Sequence, residues 1–209
     1  MEIIEKGQCG ERVFYELTNN GILTIYGTGD MYDYFIVNRS PFCHCKNIKT
    51  VFIENGVTSI GQRVFHGCSL KSITIPSSLT NIKHAAFYFC QSLTTINIPN
   101  TLIEIENFAF SSCTSLVSIT LPKSIDFIGT GIFQWTPRLT SITILNPTPP
   151  LTGELRAFYD NCILKVPIGS KQAYTNHEVW GKFKAIEELE IQDLSNKITT
   201  QNLYAKENE

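Results

Sequence analysis

The sequence predicts a β-rich right-handed solenoid with a parallel sheet on one face. An N-terminal β-hairpin is expected to cap it, and a segment with a short helix to close its C-terminal end. Three observations predict this. An apolar hexad returns every 22 or 23 residues, a proline follows three of the hexads directly, and a Phe-x-x-Cys or Phe-x-x-Thr group closes each of the four full copies.

The hexads begin at Ile48, Leu70, Leu93, Leu116 and Leu139. The second copy reads Leu70-x-x-Ile73-x-Ile75-Pro76, then Leu79-x-x-Ile82, then Phe87-x-x-Cys90. The third and fourth follow it, through Phe110-x-x-Cys113 and Phe133-x-x-Thr136, while the fifth departs after Ile144. Phe42-x-x-Cys45 supplies the end of an incomplete copy before the first. Within a hexad, Ile73 and Ile75 alternate with Thr74, so both isoleucines face inward from a short strand. Pro76, Pro99 and Pro122 lack the N–H that a ladder needs and end the strands. One copy alone leaves its core open above and below, so each must be closed by its neighbours.

The composition agrees. Of 209 residues, 43% are hydrophobic, enough for a core. Charged residues are 17%, below the usual figure of about 25%, which argues against disorder. A net charge of −2 offers no basic surplus for a phosphate backbone, so nucleic acid is not expected as a partner. The apolar runs are short and punctuated, so no membrane span is expected. Met1 to Lys6 places acids where a secretory signal has a basic segment and a long apolar run.

The pattern L-x-x-I-x-I-P-x-x-[LI]-x-x-I-x-x-x-A-F-x-x-C resembles the BspA-like leucine-rich repeat family, with Ala86-Phe87 and Ala109-Phe110 as its A-F pairs. Val64-Phe65, Ile132-Phe133 and Thr136 depart from it. The expected organisation is a hairpin cap over 1–40, repeats over 41–145, an irregular last repeat and cap over 146–189, and a polar tail or linker over 190–209. In the first segment, Asn20-Gly21 is a hairpin turn signal between Val13–Leu17 and Ile22–Tyr26. In the third, Ala157-Phe158 and Cys162 echo the repeat, and Ile163–Val166 reads as a last strand. Ser170 is placed to cap a short helix carrying Ala173 and Tyr174. Val179, Trp180, Phe183 and Ile186 are expected to cover the last coil.

Seven cysteines are an odd number for a closed disulfide framework. Cys45, Cys68, Cys90 and Cys113 share one repeat position and read as small inward residues; a Cys9–Cys43 bridge stays open. Cys43-His44-Cys45 with His66-Gly67-Cys68 suggests zinc by residue type, but Cys45 and Cys68 would have to face outward against the repeat. The four histidines and the acids form no catalytic constellation or cofactor motif, so neither catalysis nor a cofactor is expected.

Two binding surfaces are candidates. On the outward side of the strand row stand Lys49, Phe52, Lys71, Thr74, Thr95, Asn97, Thr120 and Thr143. Of the fifteen outward positions there, ten are Ser or Thr and two are charged. Such a face suits a pleated, solvated surface, or a neutral groove for a peptide strand or a glycan. On the return side, Tyr88, Phe89 and Trp135 stand between the repeat Phe and the Cys or Thr, and exposed aromatics there are hot-spot residues. The family resemblance implies a surface or secreted protein that binds host matrix proteins such as fibronectin or mediates cell–cell contact. The start of the chain and the unpaired cysteines favour the alternative, an intracellular interaction scaffold.

Overall fold

The computed structural model describes residues 1–156 and 161–190. Along the chain lie β1 (Ile3–Gln8), β2 (Val13–Thr18), β3 (Ile22–Gly27), β4 (Gly29–Asp30), β5 (Thr50–Ile53) and β6 (Val57–Ile60). β7 (Ser72–Thr74), β8 (Asn81–Ile82), β9 (Glu104–Ile105), β10 (Ser118–Leu121), β11 (Phe127–Ile128) and β12 (Ser141–Ile144) follow. β13 (Leu151–Thr152), β14 (Ile163–Val166), α1 (Lys171–Thr175), a 3₁₀ turn (Trp180–Lys182) and β15 (Ala185–Glu188) complete the described chain. The architecture is a β-solenoid: hexad strands pair in parallel on one side, and a second parallel ladder runs β13-β11-β9-β8-β6-β4.

The inward rows are those that the alternation predicts. Val51, Ile73, Ile96, Ile119 and Ile142 are buried, as are Ile53, Ile98, Leu121 and Ile144 in the next row. Ile75 is half-buried and packs against the same core. The register confirms the stacking, with Val51 opposite Ile73 and Leu121 opposite Ile144. The hexad row is not one continuous sheet, however. It divides into β1-β2-β3-β5-β7 and β10-β12-β14-β15, because the third copy makes only an isolated Asn97–Thr120 bridge. Asn97 disfavours strand, and the ladder lapses around it while Ile96 and Ile98 keep their inward places.

The return segment of each coil carries a buried phenylalanine. Phe42, Phe65, Phe87, Phe110 and Phe133 form one column, with successive ring centroids 5.7, 5.4, 5.3 and 6.4 Å apart and interplanar angles of 6–20°. Offset stacking of this kind adds to the stabilisation from apolar burial. The backbone beside the column is also tied coil to coil: Phe65 N–H donates to Ala86 O, Phe87 to Ala109 O, and Phe110 to Ile132 O.

The cysteine position lies behind this column. Cys68, Cys90 and Cys113 are buried, and their thiols donate to carbonyls of the preceding coil: Cys45 O, Phe65 O and Phe87 O, at 3.6, 3.0 and 3.2 Å. All seven cysteines are free thiols. Thr136, in the same place one coil on, donates within its own turn to Phe133 O. Burial pushes the Cys113 and Cys68 thiols up to about 12 from an ordinary 9.0.

The ends are closed by strand addition. β2 and β3 form the expected hairpin through Gly21, where φ is +86°. β3 then pairs in parallel with β5, bringing Leu23 and Ile25 into the inward rows. Tyr15 meets Phe42 edge-on at 4.8 Å and covers the first ring of the column. β1 adds an outer strand that no alternation signals, since it is exposed along almost its whole length. At the far end, β14 joins β12 and β15 joins β14, both in parallel. Ser170 sits at the helix N-cap but its side chain makes no capping bond. The Glu188 carboxylate instead accepts from the Gly169 and Lys171 amides, at 2.9 and 3.2 Å, and supplies the missing acceptor from β15. Tyr174 and Trp180 are fully buried and hydrogen-bond to Asn146 O and Pro150 O; Phe183 and Ile186 are buried beside them, and Val179 is half-buried. The Ala157-Phe158 echo and positions 191–209 of the expected tail lie outside the described residues.

Two outcomes test this core. Phe110→Ala opens a gap in the middle of the column and should cost about 3–5 kcal/mol in urea unfolding; a loss below about 1 kcal/mol would remove the column from the core. The thiols should also make the fold sensitive to alkali. Above pH 9 the unfolded chain releases protons that the native thiols keep until about 12, so each such thiol's contribution is complete below pH 9 and lost as pH rises toward 12. The slope is about 1.4 kcal/mol per pH unit per thiol. Cys113→Val should make the urea midpoint fall less steeply between pH 9 and 10, and an unchanged slope would contradict the assignment.

Candidate functional site

The outward side of the strand row is polar and shallow. Thr24, Phe52 and Thr74 stand in register across β3, β5 and β7, and Thr120, Thr143, Lys165 and Glu187 across the second sheet. Lys49, Lys71, Thr95 and Asn97 are exposed, as is Phe52, and Thr74 and Thr120 are half-buried. Thr143 differs from the expectation. It is only 5% exposed, enclosed in its row between Thr120 and Lys165, and it offers a partner almost nothing. Hydroxyls along this face bond to other coils, as Ser72 to Thr50 and Thr140 to Val117 O, which satisfies them without a ligand.

The return side has a different construction. Two backbone positions of the return turn adopt left-handed φ, both of them in every coil from Phe65 to Phe133 and the later one alone at Phe42. One lies two residues before the stacked Phe (Arg63, Ala85, Phe108 and Gly131) and the other two residues after it (His44, Gly67, Phe89, Ser112 and Trp135), with φ between 53° and 69°. Left-handed backbone costs a non-glycine residue roughly 1–2 kcal/mol. The later position nonetheless holds Phe89 and Trp135, 42% and 63% exposed. Between them Ser112, at the same position one coil on, is buried. Its N–H donates to Gln134 O, and Phe89 N–H donates to Ser111 O, which fixes the three residues in one geometry. Two coil steps of about 4.8 Å set the backbones of these two aromatic residues roughly 10 Å apart.

Tyr88 is half-buried, with its ring edge-on to His66 at 5.2 Å and stacked on Phe89 at 6.3 Å. The structure thus brings Tyr88, Phe89 and Trp135 to one side of the coil. The sequence pattern locates these residues but gives no sign of the left-handed backbone, because glycine occupies only Gly67 and Gly131 of the nine positions.

The suggested zinc group does not assemble. Cys68 turns inward to Cys45 O, His44 and His66 lie ring to ring at 5.0 Å, and the described residues hold no group of three or more His, Cys, Asp or Glu able to bind a metal. No helix among the described residues is long and apolar enough to cross a membrane.

Comparison with known proteins fits this architecture. A leucine-rich repeat protein of Eubacterium ventriosum is 23% identical with a TM-score of 0.63; the match covers 80% of this chain and 45% of that one. The T. pallidum Leucine Rich Repeat protein is 30% identical with a TM-score of 0.55, over 73% of this chain and 80% of that one. None of the curated proteins matches. Leucine-rich repeat folds generally serve as scaffolds that bind proteins. Residues 36–165 match the BspA type leucine rich repeat region in six copies, and the chain belongs to that family.

Proposed function

We propose that this chain is a non-catalytic protein-binding domain that holds its partner on the return face, at Phe89 and Trp135. The observation that carries this reading is the exposure of two large aromatics, Phe89 and Trp135, at one repeat position of the return turn. The Trp135 indole is 63% exposed and makes no hydrogen bond or ring contact among the described residues. Aromatic residues are enriched at interfaces, and Trp is among the side chains whose truncation costs most there. Ser112, at the same position in the intervening coil, is buried and leaves the two aromatics as the large exposed groups there.

Within this reading, the family resemblance supports an adhesin-like role toward matrix proteins such as fibronectin, or contact between cells. A second reading, an intracellular scaffold, is supported by the seven free thiols, which persist in reducing compartments. Protease shaving of intact cells separates the two, since a surface protein is removed and an internal one spared.

The binding face is tested on immobilised fibronectin and other matrix proteins by biolayer interferometry. Trp135→Ala should weaken binding by at least about tenfold, while Thr95→Lys on the strand row binds like the parent. The reverse pattern would move the site to the strand row, and no binding to any matrix protein would end the adhesin reading. Trp135→Gly provides the stability control: its urea midpoint should equal or exceed the parent's, because glycine relieves the left-handed strain. A loss above about 2 kcal/mol would make the indole a structural group.

A further inference from the structure

At the first coils, the return side carries a cleft of about 60 Å³ lined by Arg39, Cys43, His44, Arg63 and His66, with Tyr34, Phe35, Ile36 and Ser40 completing its wall. We propose that this cleft binds a single tetrahedral oxyanion, a sulfate or phosphate group, through Arg39, Arg63, His44 and His66. Its His66 wall meets Tyr88, the neighbour of Phe89, but the proposal does not depend on Phe89 and Trp135 being a binding surface.

Charge is the first argument. Arg39 and Arg63 make no ion pair among the described residues, where the ion pairs are Lys83–Asp33 and Lys182–Glu154. Asp33, the acid on the adjoining loop, is already held by Lys83 at 3.2 Å and by the Gln62 amide at 2.7 Å. Glu106, on the next coils, accepts from the His84 amide. Two guanidiniums and two imidazoles therefore converge without a carboxylate, in a chain whose net charge is −2. Guanidinium forks are the side chains best matched to oxyanions.

Construction is the second argument. His44 and Arg63 both stand on left-handed backbone. Their amides donate to His66 O and His84 O at 2.8 and 3.0 Å, which sets both side chains from rigid coil. Gly67 makes room for the imidazole, since a Cβ there would lie 2.2 Å from His44 Nδ1. Tyr88 supports the far side of His66 edge-on. Ser40 fixes the approach of the loop, its hydroxyl accepting from Phe42 N–H at 3.1 Å and its carbonyl from Cys43 N–H at 3.0 Å.

The groups facing His66 explain how binding would respond to pH. Burial first, then His44, Arg63 and Arg39, lower its pKa from the ordinary 6.5, and no acid opposes them. Cys43 is no competing anion, because burial raises its thiol pKa despite the two arginines. An anion in the cleft reverses the repulsion and favours the charged imidazole, so binding takes up a proton and strengthens as pH falls. Cleft volume favours one compact group over a polyanion.

The test is NMR titration of the whole chain, following the His44 and His66 ring protons with inorganic sulfate, inorganic phosphate and N-acetylglucosamine 6-sulfate at pH 6 and pH 8. Both rings should shift saturably with at least one of these, at least about fivefold more tightly at pH 6. Arg39→Gln with Arg63→Gln should weaken binding by at least about tenfold, with the thermal midpoint checked separately. Arg39→Gln alone, in the loop, gives a second variant that does not touch a coil. Tighter binding of the sulfated sugar than of free sulfate assigns the group to a glycan; equal binding assigns it to a free oxyanion. No saturable shift below about 50 mM, or a shift that survives loss of both arginines, would overturn the proposal.

Discussion

Each winding of this chain is completed by hydrogen bonds to its neighbours. Return-turn amides donate forward, Arg63 to His84 O, Ala85 to Asn107 O and Phe108 to Thr130 O. Residues beside the strands donate backward, Lys71 to Lys49 O, Lys83 to Ile60 O and Glu106 to Ile82 O. A buried amide or carbonyl without a partner costs about 1–3 kcal/mol, so a coil at either end cannot simply stop. The lids have to be backbone as well as apolar cover. β3 supplies both at the start, its segment accepting from Lys49 and Glu54 through Gly21 O and Ile25 O. At the other end Leu189 N–H donates to Val166 O while Trp180 and Tyr174 fill the open core.

That constraint also accounts for the shape of the return turn. Stacking a phenylalanine in every coil while keeping the coil-to-coil amide links requires the chain to reverse within a few residues on each side of the ring. The left-handed residues at two before and two after Phe87, Ala85 and Phe89, are where it does so. The backbone there is enforced by the repeat, not chosen by the local residue. Arg63, Phe108, His44 and Trp135 adopt it because their neighbours on both sides are already hydrogen-bonded in place.

The alternation in Leu70-x-x-Ile73-x-Ile75 and the 23-residue recurrence make the core legible from sequence, because burial selects residue type and period together. Legibility fails where burial does not select. β1 is exposed on both faces, so nothing in Ile3–Gln8 alternates. Ser170 looks like a cap by residue type, yet the acceptor comes from Glu188, a residue distant in sequence and near only through the β14–β15 pairing. Thr143 reads as outward by position, but its enclosure depends on its neighbours in the row. Arg39 and Arg63 share no motif; only the stacking of Phe42 and Phe65 brings their segments together around His44 and His66. Of the return aromatics, the sequence locates the residues, whereas their common left-handed geometry belongs to the assembled coil.

A repeat that enforces one backbone frees particular side chains to vary. The residue two after the stacked phenylalanine is His44, Gly67, Phe89, Ser112 and Trp135 in successive coils, five unlike side chains on nearly one φ. Changes there need not propagate into the core, since the inward rows are carried by other positions. The return face can therefore hold unrelated chemistry side by side, a cationic cleft at the first coils and exposed aromatics further on. From His66 to Gln134 is three coil steps, roughly 15 Å, well within the footprint of one partner of ordinary size. A single partner carrying a sulfate or phosphate group and reaching both would draw apolar area from Phe89 and Trp135 and orientation from that group at Arg39 and Arg63. Only the second contribution would follow the charge on His66, so that part of the contact alone would weaken as pH rises.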